Sequence, residues 1–238
     1  MKNLILQSFR QGFALANKNW EVFLVGLIFY LTASINDLLG DSTISGFVEI
    51  LVLLLLPVFL GFYLSMPFFL LQKQQGKLEL SNILSTTLQN AKRLIIPSVL
   101  LFLVMVIFVV LFAIIASPQN IDFDAFIKDV NNVSMWKYLV PISLIGTFLS
   151  FTPIYFSIEK FGLLSSIKKS VGFSARHFNF VIPLAIFMLI YTLLPSEIVK
   201  RLPGVVGILL QSIVNNYQEI FFTAALLIFY QKATKVAK

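Results

Sequence analysis

Long apolar runs alternate with short polar segments along the whole chain. A membrane-spanning helix needs about 20 mostly apolar residues. Six runs come close to this length, at 20–39, 47–71, 94–116, 138–158, 178–194 and 204–230. Prolines inside the runs are compatible with spanning helices, because neighbouring helices satisfy the freed carbonyls. The pattern predicts an all-α polytopic membrane protein with six transmembrane helices.

Amphipathic stretches precede the odd-numbered runs and end in a basic residue. In the first stretch, Phe9 and Phe13 recur at helical spacing with Arg10 on another face. Shifts of 75 and 158 residues align Phe9 with Leu84 of the second stretch and Ile167 of the third. Such helices bury an apolar face at the level of the lipid headgroups. We therefore expect three hairpins, each preceded by a cytoplasmic amphipathic helix. The single membrane domain, 1–238, would consist of pseudo-repeats at about 1–74, 75–158 and 159–238.

Small residues recur four apart in two of the even-numbered runs, which we call the returning runs because each would be the second helix of a hairpin. Gly61 precedes Ser65 in the second run, and Gly146 precedes Ser150 in the fourth. Small residues at this spacing let the backbones of membrane helices approach closely. We expect both pairs to lie at helix contacts.

The distribution of charge indicates which connecting segments lie on the cytoplasmic side of the membrane. Only 12% of the residues are charged against 58% hydrophobic, and the net charge is +7. Fourteen of the 18 Lys and Arg residues lie in segments on one side of the predicted membrane, so the positive-inside rule makes that side, with both termini, cytoplasmic. No contiguous basic stripe with interleaved aromatics points to nucleic acid. The expected partners are anionic lipid headgroups, contacted by Arg10, Lys18, Lys92, Arg93, Lys168, Lys169 and Arg176.

A resemblance to known proteins lies in the segment EKFGLLSSIKKS, residues 159–170. It resembles the turn after the fourth span in a superfamily of six-span bacterial membrane proteins, with Gly162 and Ser170 at the shared positions. That superfamily includes the membrane domain of glycerophosphoryl diester phosphodiesterases and the YciC-like inner-membrane proteins. The resemblance implies a multi-pass protein of a bacterial cytoplasmic (inner) membrane without an assigned biochemical role. The phosphodiesterase catalytic domain has no counterpart in this sequence, so the resemblance implies no such activity.

One polar segment interrupts the sixth run and forms a candidate intramembrane site. Glu219 is the one charged residue deep within a predicted span. Polar groups inside membranes are costly and tend to mark function, but they also join helices through hydrogen bonds. The sequence leaves both interpretations open, a solute or proton path and interhelical glue. The candidate residues are Gln211, Asn215, Asn216, Gln218 and Glu219.

The remaining chemistry of the sequence is sparse. It contains no Cys and a single His, His177, and neither a catalytic set nor a metal-ligand spacing stands out. We therefore expect no cofactor, no metal and no enzyme activity. The leading hypothesis is a membrane protein that acts through lipid or protein contacts, with a membrane-protein partner or a second copy of the chain as open alternatives. A surface helix predicted in the outer loop at 117–137 is one such contact candidate. The second hypothesis is a small transporter or permease with a path along the sixth span around Glu219.

Overall fold

The computed structural model describes residues 2–34, 43–116, 145–184, 186–187, 202 and 204–236. The predicted all-α class is confirmed, because every regular element in that part of the chain is helical. Residues 145–149 and 178–184 are also helical. The main helices are α1 (Lys2–Asn17), α2 (Trp20–Ala33), α3 (Thr43–Gln74), α4 (Leu80–Ala116), α5 (Thr152–Ser157), α6 (Leu163–Arg176) and α7 (Gly204–Val236).

One helical segment among the described residues has the length and apolarity of a membrane span. It is Leu54–Gln74 within α3, with 21 residues and a mean hydropathy of 2.1. Trp20–Thr32, within α2, is a shorter apolar helix. The first, third and sixth predicted runs fall largely on α2, α4 and α7. The surface helix predicted in the outer loop, the start of the fourth run and most of the second half of the fifth lie outside the described residues.

Aromatic side chains hold the centre of the structure together. Phe62, Phe69, Phe151 and Phe229 are fully buried or nearly so. Phe180 stacks on Phe229 of α7 with ring centroids 3.6 Å apart. Large aromatic rings dominate the energy of such cores through their buried area. The helices are therefore packed around a common aromatic centre, with α3 against α4 and α1 against α7 as the most extensive pairs.

The amphipathic stretches end differently from one another. A break separates α1 from α2 at Asn19, whose side-chain amide donates to the Leu15 carbonyl at 2.6 Å, and α6 ends before His177. The second stretch continues without a break into the third run as the single helix α4. The shifts of 75 and 158 residues align Asn19 with Leu94 and His177. Leucine has a higher helix propensity than asparagine or histidine, so the helix continues at Leu94. The expectation of a separate amphipathic helix before the third run is therefore wrong.

A stripe of small or buried positions runs along each amphipathic stretch. Ser8, Ile83 and Ser166 are fully buried, and the sequence shifts of 75 and 158 residues align them. The positions four and eight residues further on are also buried. They are Gly12 and Ala16 in α1, Thr87 and Ala91 in α4, and Ser170 and Ser174 in α6. Each stripe faces a different returning run.

The three stripes meet those runs at close range. A Cβ atom added to Gly12 would lie 2.7 Å from the backbone nitrogen of Ala225 in α7. One added to Gly61 of α3 would lie 2.7 Å from the Thr87 carbonyl oxygen of α4. In the third case, Ser170 bonds directly to the backbone of residues 148–151. Each amphipathic stretch therefore packs on one returning run through its smallest side chains.

The two predicted Gly–Ser pairs have different outcomes. Gly61 lies at the close α3–α4 contact, and Ser65 accepts a hydrogen bond from the Asn90 side chain of α4 at 2.7 Å. A Cβ added to Gly146 would meet no described atom within 4 Å, so the expected contact at Gly146 stays a prediction. The fourth run bends at Ser150 and Phe151. The helix contact is made beyond the glycine, through backbone groups that the bend exposes.

Ser170 supplies the partners for this bend. Its hydroxyl donates to the Phe148 carbonyl at 2.8 Å and accepts from the Phe151 backbone nitrogen at 3.1 Å. Because the Phe148 carbonyl also accepts from Ser174 at 3.1 Å, removal of the Ser170 hydroxyl leaves the Phe151 N–H without its partner. Leaving buried backbone groups unpaired costs about 1–3 kcal/mol. Ser170→Ala is therefore expected to lower the free energy of unfolding by about that amount in detergent. The measurement is thermal unfolding, with exposed Ser165 changed to Ala as control. Equal melting temperatures for the two variants would contradict this role.

Candidate functional site

Glu219 lines a cavity between α7, α2 and α3. The cavity has a volume of about 280 Å³, and Phe29, Tyr30, Phe59 and Tyr63 form its other walls. The Glu219 side chain is exposed to this space. It accepts a hydrogen bond from the Tyr30 hydroxyl at 3.4 Å, longer than an ordinary O–H···O bond of 2.5–3.0 Å. A carboxylate with room around it therefore faces aromatic walls.

The three polar groups of the cavity lie at one level. Tyr30 lies ten residues from the start of α2, and Tyr63 eleven residues from the end of α3. Glu219 precedes Tyr230, the last residue of the predicted sixth span, by eleven residues. Glu219 lies 17 residues before the end of α7 at Val236 and reaches the same level through its contact with Tyr30. At 1.5 Å per residue, Tyr30 and Tyr63 lie about 15–17 Å from the start of α2 and the end of α3, each close to a lysine. This distance is half of a hydrocarbon core about 30 Å thick.

The other residues of the predicted polar segment point to different places. Asn216 is buried and donates to the Phe23 carbonyl of α2 at 2.7 Å. Gln211 donates to Asn215 on its own helix at 2.9 Å, and Gln218 is buried. The structure therefore divides the segment. Asn216 joins helices, as the glue interpretation predicts, whereas Glu219 faces the cavity.

The sequence pointed to Glu219 but not to the residues around it. Tyr30 and Tyr63 lie inside apolar runs, where the sequence pattern does not distinguish a tyrosine of a polar site from the other aromatic residues. Their equal distance from the basic ends of α2 and α3 was the signal that could have singled them out. In the structure the rings of Tyr30 and Tyr63 are neighbours, with centroids 6.0 Å apart and an interplanar angle of 78°.

Comparison with protein families, curated proteins and solved structures finds no match. The residues themselves are therefore the basis for assigning a role to the cavity. Within the described part of the chain, no group of three or more His, Cys, Asp or Glu residues could hold a metal ion. The cavity is thus best understood through its one carboxylate and four rings.

The residues predicted to contact lipid headgroups are all exposed. Two of them also bind within the protein. Arg93 donates to the Phe161 carbonyl at 3.1 Å and lies 4.3 Å from the Phe156 ring centroid, and the Lys169 ammonium lies 4.1 Å from the Phe161 ring centroid. Arg93 therefore ties α4 to the turn after α5. The other five are exposed as well: Arg10 on α1, Lys18 in the turn between α1 and α2, Lys92 on α4, and Lys168 and Arg176 on α6.

The turn that carries the family resemblance is a junction of several helices. Glu159 accepts a hydrogen bond from the Tyr230 hydroxyl of α7 at 3.0 Å. Lys160 has a φ of 56°, a left-handed backbone conformation. This conformation is unfavourable for residues other than glycine. Gly162 comes directly before α6 with a φ of −65°, so its backbone does not require glycine. The turn therefore positions α6 and the end of α7 beside Arg93.

The single histidine belongs to the aromatic core rather than to the cavity. The His177 ring lies 4.4 Å from the Phe173 ring and 5.5 Å from the Phe229 ring, measured between centroids. Burial, and then the positive charge of Arg176, lower the pKa of His177. Burial and Arg176 therefore both favour the neutral form of the imidazole.

Proposed function

We propose that the chain is a six-span integral protein of a bacterial cytoplasmic membrane, with both termini in the cytoplasm. The exposed side of α4 supports this arrangement. Ile96, Val99, Leu100 and Ile107 are each more than half exposed. An apolar surface of this extent is unfavourable in water and suits lipid tails. The proposal keeps the three pseudo-repeats and the kinship with YciC-like proteins, and it assigns no catalysis to the chain.

The amphipathic stretches suit the membrane interface. Phe13, Leu88 and Val171 occupy aligned positions and are 52%, 54% and 40% exposed. Basic residues, among them Arg10 and Lys168, lie nearby in sequence and are exposed as well. An exposed apolar side chain beside a basic one can insert among lipid headgroups while the charge meets anionic lipid.

The function that the geometry supports best is that of a small transporter or permease with its path at Glu219. The observation that carries this proposal is the cavity in which Glu219 faces Tyr30 and Tyr63. A carboxylate that served only to join helices would need no open space beside it, whereas Glu219 lines one. Transporter sites lie near the bilayer midplane, and the depth of Glu219 matches that level.

A role in lipid or protein contacts is the second candidate. It is favoured by the exposed basic residues on α1, α4 and α6. Such a role requires the interfacial surface but not an open cavity with a carboxylate. The two candidates therefore differ in whether any solute crosses the membrane.

Uptake into liposomes tests the transporter proposal. Purified protein would be reconstituted in phosphatidylethanolamine–phosphatidylglycerol vesicles. The probes are protons, followed by an internal pH dye, and radiolabelled choline, alanine, lactate and glucose. We expect at least one of them to enter well above the rate in protein-free vesicles. Equal rates for every probe would favour the contact role instead.

A further inference from the structure

We infer that the Glu219 cavity binds a small organic cation, an amine or a quaternary ammonium compound. This inference rests on the proposed transporter function and names the class of solute that the site recognises. Three properties of the cavity carry it, namely its aromatic walls, its single charge and its size.

The walls are built from two pairs of aromatic rings. The rings of Phe29 and Phe59 lie 5.2 Å apart at 69°, and those of Tyr30 and Tyr63 lie 6.0 Å apart at 78°. Each pair forms a corner rather than a flat stack. Aromatic cages that hold quaternary ammonium groups use ring faces within about 6 Å of the cation. Four rings around one cavity provide this kind of surface.

Among the described residues, the one acidic group of the lining is Glu219, which is negative in its ionised form. Glu219 is joined there by two phenol hydroxyls, and no Lys, Arg or His belongs to the lining as far as the chain is described. An anionic solute would meet an unfavourable field and no donor stronger than a phenol, whereas a cation would be attracted to the carboxylate. The long bond from Tyr30, at 3.4 Å, leaves the carboxylate free to form this contact.

The size and composition of the cavity distinguish an organic cation from a metal ion. Divalent ions such as Ca²⁺ need about six to eight oxygen ligands, and the described lining offers one carboxylate and two phenols. The volume of about 280 Å³ lies near the lower end of the range, about 300–1,000 Å³, that small-molecule pockets occupy. A compound with a few methyl or methylene groups around one nitrogen fits both the volume and the apolar walls.

Calorimetric titration of the detergent-solubilised protein tests the inference. The probes are choline and 3,3-dimethylbutan-1-ol, which has the same shape with carbon in place of the charged nitrogen. We expect choline to bind at least about tenfold more tightly than its neutral analogue, because only choline gains the carboxylate and ring-face attraction.

Three variants connect the binding to the cavity. Glu219→Gln is expected to weaken choline binding at least about tenfold through loss of the charge. Tyr63→Leu is expected to weaken it by about two- to thirtyfold through loss of a ring face. Glu79→Gln removes an exposed carboxylate outside the cavity and is expected to leave binding unchanged. Each variant is first checked for an unaltered melting temperature.

The outcomes separate the inference from the function on which it rests. Preferential choline binding that Glu219→Gln abolishes and Glu79→Gln preserves supports the inference. Equal binding of choline and its neutral analogue, or no binding of choline, overturns it. If another probe of the uptake panel still crosses the membrane in a Glu219-dependent manner, the transporter proposal stands while the solute class is wrong. If no probe crosses, the transporter proposal is wrong, and the choline titration alone decides whether the cavity binds an organic cation.

Discussion

Glu219→Gln is expected to abolish uptake while leaving the fold intact. The substitution keeps the shape of the side chain, replaces one acceptor oxygen by an amide donor and removes the negative charge of the ionised form. Inside a membrane a charge is costly unless a function retains it, so the melting temperature should stay the same or rise. The attraction of a cation to the site disappears with the charge. We expect the uptake rate in liposomes to fall at least about tenfold.

The comparison needs a matched carboxylate outside the cavity. Glu79 lies on the exposed segment between α3 and α4, and Glu79→Gln should leave uptake unchanged. Tyr30→Phe removes the hydroxyl that donates to Glu219 and should have an intermediate effect. Uptake by Glu219→Gln at the rate of the unaltered protein would show that the carboxylate has no part in the path.

Gly12→Leu is expected to prevent α1 from packing on α7. A Cβ atom at Gly12 would lie 2.7 Å from the backbone nitrogen and 2.8 Å from the Cα of Ala225. Backbone atoms cannot rotate away, so the two helices must separate. Overpacking of a tight contact costs about 1–3 kcal/mol, occasionally more. With four side-chain carbons to place in this contact, Gly12→Leu should lie at or above the upper end of that range.

Gly172 provides the control for this substitution. It lies in α6, and a Cβ added there would meet no described atom within 4 Å. Gly172→Ala should therefore raise stability by up to about 1 kcal/mol, the helix-propensity gain of alanine over glycine. Thermal unfolding in detergent measures both variants. A melting temperature for Gly12→Leu at or above that of the unaltered protein would contradict the close α1–α7 contact.

Hydrophobic periodicity predicted the all-α class because each apolar run is long and each amphipathic stretch has a regular period. It could not predict where a helix bends. The bend at Ser150 and Phe151 depends on Ser170, which lies about 20 residues further along the chain and replaces backbone partners there. The same limit applies to any small residue, which permits close packing but does not supply the helix that packs against it.

The candidate site was predictable only in part, for a similar reason. A charged residue within an apolar run is conspicuous, so Glu219 was found from the sequence. The distinction between Glu219 and Asn216 depends on what each side chain meets on the neighbouring helices. Because residues three apart lie on nearly the same face of a helix, the sequence alone could not separate them. Arg93 had been assigned to lipid headgroups by its position. Its contact with Phe161 requires the turn after α5 to lie beside it, which no local pattern reveals.

Thiol accessibility at the level of Glu219 tests the central claim most directly. The chain has no Cys, so Tyr63→Cys and Ile28→Cys each introduce a single thiol. Tyr63 lines the cavity, whereas Ile28 is 62% exposed on α2, two residues from Tyr30. In membranes, a small cationic methanethiosulfonate reagent should modify the Tyr63→Cys variant rapidly and the Ile28→Cys variant hardly at all, because lipid tails exclude the reagent. Equal modification of the two variants, or protection of the thiol in Tyr63→Cys, would contradict a water-accessible cavity within a membrane.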